Sequence, residues 1–299
     1  MSVSSILKLV GLPEIASEHG ELVDHMHGLV TWFMFVLFLG WSIYLVYVFY
    51  KFNDKRSKKA DYHGVRGHAT THIEIGVCIV EAILLLGFAF PLWARQADEY
   101  PTGPDVLKMR AMGEQFTWTF HYPGSDAVLG HITPKLISGT NVIGRDPTDP
   151  NGKDDFISGG TMKLPIGRPV IVDVASKDVI HNLALTQMRA AQDAIPGAKA
   201  HMWFKPVKLG TWDVICGQLC GVGHSQMKAT LEVVSQKEFD DWSKEQSENA
   251  RKASMPPAAP ASPAPTSPAP TESPAPAKAP APVPVPAAGV NPAAAPVSR

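Results

Sequence analysis

The chain has 299 residues, which is enough for about two domains, and its formal net charge at pH 7 is -1. That balance excludes the broad basic surface on which nucleic-acid binding depends. Of the three cysteines, Cys78 lies in an apolar run and is expected to be inert filling, whereas Cys216 and Cys220 lie close together beside other potential metal ligands.

Two apolar runs near the N-terminus predict a membrane hairpin. Residues 28–52 carry no charged side chain before Lys51, and residues 73–93 form a second run after a polar connection. Each run is long enough to cross a hydrocarbon core of about 30 Å as a helix. The connecting loop, residues 51–71, holds six Lys or Arg residues against two acidic residues, which places it in the cytoplasm. Both chain ends and the following domain are then expected outside.

The second apolar run contains two carboxylates, Glu74 and Glu81. Ionisable side chains within a span are costly and usually face a protein interior or a water-filled path. Glu74 is near the cytoplasmic end of the run, where its side chain can reach water as a simple helix-end charge. Glu81 lies deeper, and we expect it to contact a partner subunit.

Short alternating segments predict a β-rich domain over residues 104–250. The first candidate strand, residues 113–122, alternates aromatic with β-branched side chains and includes Phe116 and Trp118. Residues 123–160 are rich in Gly, Asp, Asn and Pro and predict a long solvated loop. Further strands are predicted at residues 168–176, 201–206, 211–215 and 229–234.

The end of the chain changes in composition twice. The pattern Ser235-x-x-Glu238 is a capping box and predicts a polar helix over residues 236–249. Residues 251–299 contain fifteen prolines, which favour an extended, disordered tail over a packed core. The predicted domains are therefore an N-terminal segment with the membrane hairpin (1–103), the β domain (104–250) and the tail (251–299).

The densest group of reactive side chains is the segment from Cys216 to Met227, Cys-Gly-Gln-Leu-Cys-Gly-Val-Gly-His-Ser-Gln-Met. Thiolate, imidazole and thioether are soft ligands that favour copper. Two thiolates could bridge two ions, and His181, which follows a strand-like run, is the natural second histidine. A plain disulfide would explain neither His224 nor Met227, and methionine is a poor zinc ligand. Short strands around such a cluster favour a Greek-key barrel.

This pattern, C-x3-C-x3-H-x2-M with D-V-x-H upstream at residues 178–181, resembles the binuclear copper (CuA) site of subunit II of haem–copper cytochrome c oxidases. The resemblance extends over roughly residues 20–245. It implies two transmembrane helices followed by an all-β, cupredoxin-like Greek-key barrel. It also implies that two copper ions are bound by His181, Cys216, the backbone carbonyl of Gln218, Cys220, His224 and Met227.

The resemblance implies further roles outside the copper motif. Glu74 lies seventeen residues before Pro91, a spacing that in the family places an acidic residue at the mouth of a proton channel into subunit I. Asp178 would contribute to docking of the electron donor. Gln218 occupies a position where the family usually has Glu, whose carboxylate binds magnesium at the contact with subunit I. Because hard cations prefer charged oxygen ligands, a magnesium ion here is expected to be weak or absent.

The aromatic segment departs from the family pattern. The family's tryptophan that receives electrons from docked cytochrome c falls on Phe116, its neighbouring tyrosine falls on Thr117, and only Trp118 remains. The arginine that usually follows Pro-Gly is replaced by Ala198. These changes predict a donor other than a freely diffusing basic cytochrome c, such as a cytochrome c domain of an associated complex.

The implied function is that of the electron-accepting subunit of a respiratory oxidase in the bacterial cytoplasmic (inner) membrane. Electrons would pass from a cytochrome c-type donor to the copper pair and then to subunit I, which holds the haems and CuB and reduces oxygen to water with proton translocation. Subunits I and III and the lipid membrane are the expected partners.

Three alternative functions compete with this one, and the sequence argues against the first two. A quinol oxidase subunit would share the hairpin and barrel but lack the copper ligands. Nitrous oxide reductase shares the copper motif but needs a large propeller domain, for which this chain has no room. A membrane-anchored copper-binding or carrier module without an oxidase role would lack a two-copper purple chromophore.

Overall fold

The computed structural model describes residues 11–59, 62–63 and 67–254, all of which belong to one unit of the chain, Met1–Pro256. The predicted disordered tail lies outside the described residues from position 255 onward. Its first four residues, 251–254, continue the last helix.

Two long helical segments form the predicted hairpin, and both are long and apolar enough to cross a membrane. The first is α1 (Gly20–Lys51), which begins well before the apolar run at position 28. The second consists of α2 (Ala69–Leu84), a π-helical turn (Leu85–Ala89) and α3 (Phe90–Ala97). Both helices begin before the predicted runs, and the second also ends after its run, because hydropathy marks the part that lies in hydrocarbon whereas the hydrogen-bonded helix continues through the polar flanks.

Ten strands and a helix follow the hairpin and form the β domain. The strands make two five-stranded sheets, in the orders β3-β2-β1-β5-β8 and β4-β10-β9-β6-β7. The pairs β1–β5 and β4–β10 are parallel, and the other pairs are antiparallel. The predicted class, two apolar helices followed by a cupredoxin-like β domain, is confirmed. The elements are β1 (Leu107–Glu114), β2 (Thr117–Tyr122), β3 (Phe156–Gly159), β4 (Thr161–Pro165), β5 (Val170–Ser176), β6 (His181–Leu185), β7 (Ala190–Ala194), β8 (Ala200–Phe204), β9 (Gly210–Cys216), β10 (Lys228–Val234) and α4 (Gln236–Ser254).

One hydrophobic core receives side chains from both sheets. The two-residue period of a strand places alternate side chains inside, as Val170, Val172 and Val174 show on β5. On β6 the same alternation buries Leu183, Leu185 and His181. His181 therefore lies on the core side of its sheet, at the end of the strand.

The predicted strand at residues 113–122 is wrong in one respect. β1 ends at Glu114 and β2 begins at Thr117, and these two residues pair across an antiparallel hairpin. Gln115 and Phe116 form its turn. The alternation of side chains continues through the turn, and the turn lacks the Gly or Asn that usually marks a two-residue loop, so the sequence pattern did not reveal it. Phe116 is consequently at one end of the domain.

A short segment before α1, which we call the strap (residues 13–19), packs against the β domain and buries Ala16 in its core. The Ala16 backbone N–H donates to the Gln187 carbonyl at 2.8 Å. Close to the strap, two side-chain nitrogens of Arg189 donate to the two carboxylate oxygens of Asp24 on α1, at 2.7 and 2.9 Å. The strap and this ion pair join the N-terminal end of the first span directly to the β domain.

The loop after β2 is less solvated than its composition predicts, because Asp154 and Asp155 are both buried. Asp155 accepts hydrogen bonds from His121 Nε2 at 2.7 Å and from the Gly130 N–H at 2.8 Å. Burial lowers the pKa of His121, although the bond to Asp155 opposes the shift. These carboxylates therefore hold the loop through its backbone donors.

The predicted helix cap is present, with the Glu238 N–H donating to Ser235 Oγ at 3.2 Å.

Candidate metal centre

The candidate metal ligands come from two neighbouring strands and one loop. β6 and β9 pair in the second sheet, where Leu183 lies opposite Cys216. The pairing continues past the strand end, since the Gly217 N–H donates to the Asn182 carbonyl at 3.0 Å. This register brings His181 beside Cys216, although they are thirty-five residues apart in the sequence. The loop between β9 and β10 supplies the remaining ligands.

The predicted side chains converge on a pair of sulfur atoms. Cys216 Sγ and Cys220 Sγ are 3.9 Å apart, and both cysteines are free. A disulfide bond would need about 2.05 Å. Cys216 Sγ lies 3.9 Å from His181 Nδ1, and Cys220 Sγ lies 3.6 Å from His224 Nδ1. Each sulfur therefore has its own imidazole nitrogen.

Two weaker ligands complete the arrangement on opposite sides. The Gln218 carbonyl oxygen lies 3.2 Å from Cys216 Sγ, and Met227 Sδ lies 3.7 Å from Cys220 Sγ. Within the described part of the chain, the one group of three His, Cys, Asp or Glu side chains with ligand atoms all within 4.8 Å of one another is His181, Cys216 and Cys220. The six predicted copper ligands are thus brought together.

The side of the metal centre that faces the protein core is shielded from water. His181, Cys216, Cys220 and Met227 are buried, whereas Gln218 is exposed. Burial, together with the hydrogen bond and charge of Cys216, raises the pKa of the Cys220 thiol to about 11. At neutral pH a metal ion must therefore displace the proton of this thiol when it binds.

Asp178 has a contact that the sequence interpretation missed. Its Oδ1 lies 2.8 Å from His181 Nε2, and its Oδ2 accepts from the Gln115 N–H at 2.7 Å. Partial burial opposes a low pKa for Asp178, but these hydrogen bonds outweigh it and lower that pKa. A proton on Nε2 leaves the Nδ1 lone pair directed at the metal side. The three-residue spacing of Asp178 and His181 was the available sequence signal.

Phe116 and Trp118 have different surroundings. The Phe116 ring packs on the β9–β10 loop (residues 217–227), which we call the copper loop, because a Cβ added at Gly223 would lie 2.4 Å from a carbon of that ring. Trp118 is completely buried in the core, with its ring centroid 6.0 Å from that of His181. Glu74 is not in this centre, since it lies on α2 in the second span.

The donor set fits copper better than other metals. Two thiolates, two imidazole nitrogens and a thioether are soft or intermediate ligands, and a carbonyl or thioether is a known weak axial contact at copper. Structural zinc sites use four Cys or His ligands and leave no role for Met227. If copper were bound here, both cysteine sulfurs and both imidazole nitrogens would be available to hold it.

Known proteins of one family match this chain. The model of the family described as cytochrome c oxidase subunit II, periplasmic domain, matches residues 107–234. The alternative cytochrome c oxidase subunit 2 of Bradyrhizobium diazoefficiens is 32% identical over 235 residues, covering 78% of this chain and 82% of the relative. Cytochrome c oxidase subunit 2 of Cereibacter sphaeroides is 24% identical over 259 residues, covering 79% and 82%.

A solved structure is also similar to part of this chain. It is the periplasmic domain of subunit II of cytochrome oxidase from Bradyrhizobium japonicum, with 28% sequence identity. The match covers 52% of this chain and 99% of that chain, with a TM-score of 0.36.

Proposed function

The chain belongs to the cytochrome c oxidase subunit II family, and from this premise we propose that it is the electron-accepting subunit of a bacterial respiratory oxidase with a binuclear copper centre. The observation that carries the proposal is the pairing of each cysteine sulfur with its own imidazole nitrogen, at 3.9 and 3.6 Å, around sulfurs 3.9 Å apart. That symmetry suits two ions bridged by both thiolates.

The protein would contribute to electron transfer by fixing the positions of the ligand side chains. Copper bound here would supply one-electron redox chemistry. Cys216 is fixed at the end of β9 by sheet hydrogen bonds, and His181 is fixed at the start of β6 and by Asp178. Gln115 Nε2 donates to the Cys220 carbonyl at 2.6 Å and ties the loop to the β1–β2 turn. Rigid ligands keep the reorganisation energy small when an electron arrives, and burial excludes water from the metal centre.

The surface beside the metal centre is apolar and supports a donor held near the oxidase. Val222 and Leu219 on the copper loop are strongly exposed, and Ile180, next to His181, is also exposed. Both oxygens of Asp178 bind groups of their own chain. Asp178 keeps its charge, but one exposed carboxylate contributes little to the steering of a basic protein. We infer a cytochrome c domain that is tethered to the membrane or belongs to an associated complex.

On its other sides the chain would contact the rest of the oxidase. The hairpin anchors it in the membrane with the β domain on the outer side, and subunits I and III are the proposed protein partners. Electrons would leave the copper pair for haem in subunit I, where oxygen is reduced to water with proton translocation. Glu74, exposed on α2, is the proposed proton acceptor on the cytoplasmic side.

Metal analysis of the native complex tests this proposal. We expect two copper ions for each copy of this chain, an electron paramagnetic resonance signal from one unpaired electron shared by both, and co-purification of a haem-containing subunit. One zinc and no copper would contradict the copper assignment. A single copper without a haem partner would support a membrane-anchored copper carrier instead.

A further inference from the structure

The two halves of the candidate metal centre are supported in different ways. Cys216 and His181, which we call the sheet half, lie on the paired strands β9 and β6. Cys220, His224 and the residues between them, which we call the loop half, lie outside the sheets. Apart from contacts among the ligands themselves, one hydrogen bond in the described part of the chain reaches the loop half from outside the copper loop. Gln115 Nε2 donates it to the Cys220 carbonyl, at 2.6 Å.

The same glutamine contacts the sheet half through its backbone. The Gln115 N–H donates to Asp178 Oδ2 at 2.7 Å, and Asp178 Oδ1 lies 2.8 Å from His181 Nε2. A single residue outside the ligand set is thus connected to both halves of the centre, by its backbone on one side and by its side-chain amide on the other.

The β1–β2 turn that holds Gln115 is itself well anchored. Glu114 and Thr117 pair across the hairpin on either side of it. The Lys177 N–H donates to the Gly113 carbonyl at 3.0 Å, and Lys177 Nζ lies 2.5 Å from a carboxylate oxygen of Glu114. These contacts tie the turn to the β5–β6 connection, which carries Asp178. A side chain from this turn can therefore hold the copper loop against a fixed part of the β domain.

Two glycines of the copper loop allow the turn to approach closely. A Cβ added at Gly221 would lie 2.7 Å from Gln115 Nε2 and 3.2 Å from the Phe116 ring, and Gly221 also has a φ of +136°. A Cβ added at Gly223 would lie 2.4 Å from the same ring. A side chain at either position would push the turn and the loop apart. The amide of Gln115 therefore reaches its acceptor because the loop presents bare backbone to the turn.

We propose that Gln115 is a positioning residue for the copper pair, whose side-chain amide holds the loop half in place relative to the sheet half. This inference rests on the proposed function. Gln115 is exposed, so water can hydrogen-bond to the Cys220 carbonyl when the amide is removed, and the fold loses little stability. Water does not hold the loop against the turn, so the loss affects the position of the Cys220 sulfur.

The test replaces the amide in the purified whole oxidase. Gln115→Met keeps the length of the side chain and the backbone N–H but removes the side-chain donor. We expect copper to be lost to a chelator about tenfold faster, as for other partners that orient metal ligands. The copper hyperfine pattern in the electron paramagnetic resonance spectrum should change before any copper is lost, while haem content and assembly stay normal. Gln115→Lys, which restores a donor, should recover most of the copper retention.

Gln226→Met is the matched control, because it makes the same substitution at an exposed glutamine of the copper loop. Copper retention and spectrum should match the wild type in this variant.

Wild-type retention and spectrum in Gln115→Met would overturn the proposal. A slower donor reaction with an unchanged spectrum would also overturn it, because Gln115 would then contact the donor rather than position a ligand. Equal losses of copper or of assembly in Gln115→Met and Gln115→Lys would show that the shape of the glutamine matters and not its donor. A wild-type complex without copper would instead refute the proposed function, so the two failures are distinguishable.

Discussion

Asp178 Oδ1 lies 2.8 Å from His181 Nε2, the ring nitrogen on the side away from the cysteine sulfurs. The same carboxylate accepts from the Gln115 N–H, so it links the histidine to the β1–β2 turn. Family resemblance suggests donor docking for Asp178, and the geometry adds an orienting role for its histidine. These two roles make different predictions.

Asp178→Asn should weaken copper binding, because an amide holds the His181 ring less firmly than a carboxylate does. Loss of such an outer partner typically costs about 10–100-fold in metal affinity. Copper retention against a chelator measures the effect. Asp193→Asn is the control, since Asp193 binds Asn182 and not a ligand. Unchanged retention combined with a slower donor reaction would favour docking alone.

Cys216→Ser and Cys220→Ser should each abolish the two-copper centre, because a single bridging thiolate does not hold both ions. Copper per chain should fall below two, and the signal of a shared unpaired electron should disappear. Cys78→Ser provides the control, since Cys78 lies on α2 and not at the metal centre. A wild-type spectrum in either serine variant would contradict the bridging roles.

Glu74→Ala should slow oxygen consumption while leaving copper content and membrane insertion intact. The reason is that the side chain lies near the cytoplasmic start of the second span, where a proton would enter. Turnover of the purified oxidase is the measurement. If it matched the wild type, Glu74 would be a helix-end charge without a role in proton delivery.

Reaction with free cytochrome c of the basic, mitochondrial type should be slow and only weakly dependent on salt. Apolar side chains such as Val222 surround the metal centre, and acidic steering is what makes an association rate fall steeply with ionic strength. Oxidation rates across a range of salt concentrations test this. Addition of a co-purified partner should restore fast turnover, whereas fast, steeply salt-dependent turnover with free cytochrome c would argue against a tethered donor.

Magnesium at the contact with the catalytic subunit should be weak or absent, and Gln218→Glu should strengthen it. The carbonyl of Gln218 faces Cys216, so the substitution leaves the backbone contact in place and changes only the exposed side chain. Metal analysis and manganese substitution can report on this ion. An octahedral magnesium bound by the wild-type Gln218 side chain would show the prediction to be wrong.

The convergence of the candidate ligands was the easiest part to predict, because copper chemistry restricts the residue types and the motif sets their spacing. The candidate ligands from Cys216 to Met227 lie in one short segment, and only His181 had to be found elsewhere. The long strands β5 and β9 were also predicted, since alternation over seven residues is a clear signal. Of the shorter strands, β8 was predicted at residues 201–206, whereas β3 and β7 were missed, because their four or five residues lack a clear alternation of large apolar side chains.

Contacts between distant segments left no local pattern in the sequence. The pairing of Asp155 with His121 spans thirty-four residues, and composition alone suggested a solvated loop. The strap was not predicted for the same reason. Its hydrogen bonds reach Gln187, far along the chain, and nothing near Ala16 indicates that partner. The inward direction of the Asp178 oxygens likewise depends on the folded position of Gln115.

The strap and the Arg189–Asp24 ion pair also have a mechanical consequence. Beside the connection from α3 to β1, the Tyr100 hydroxyl donates to the His201 carbonyl on β8 at 3.0 Å, which attaches the β domain on the side of the second span. The ion pair holds the β domain to the first span at a separate point, and two separate attachments restrict its rotation relative to the helices. The direction in which the β9–β10 loop faces, relative to the first span, is thereby constrained by contacts within this chain.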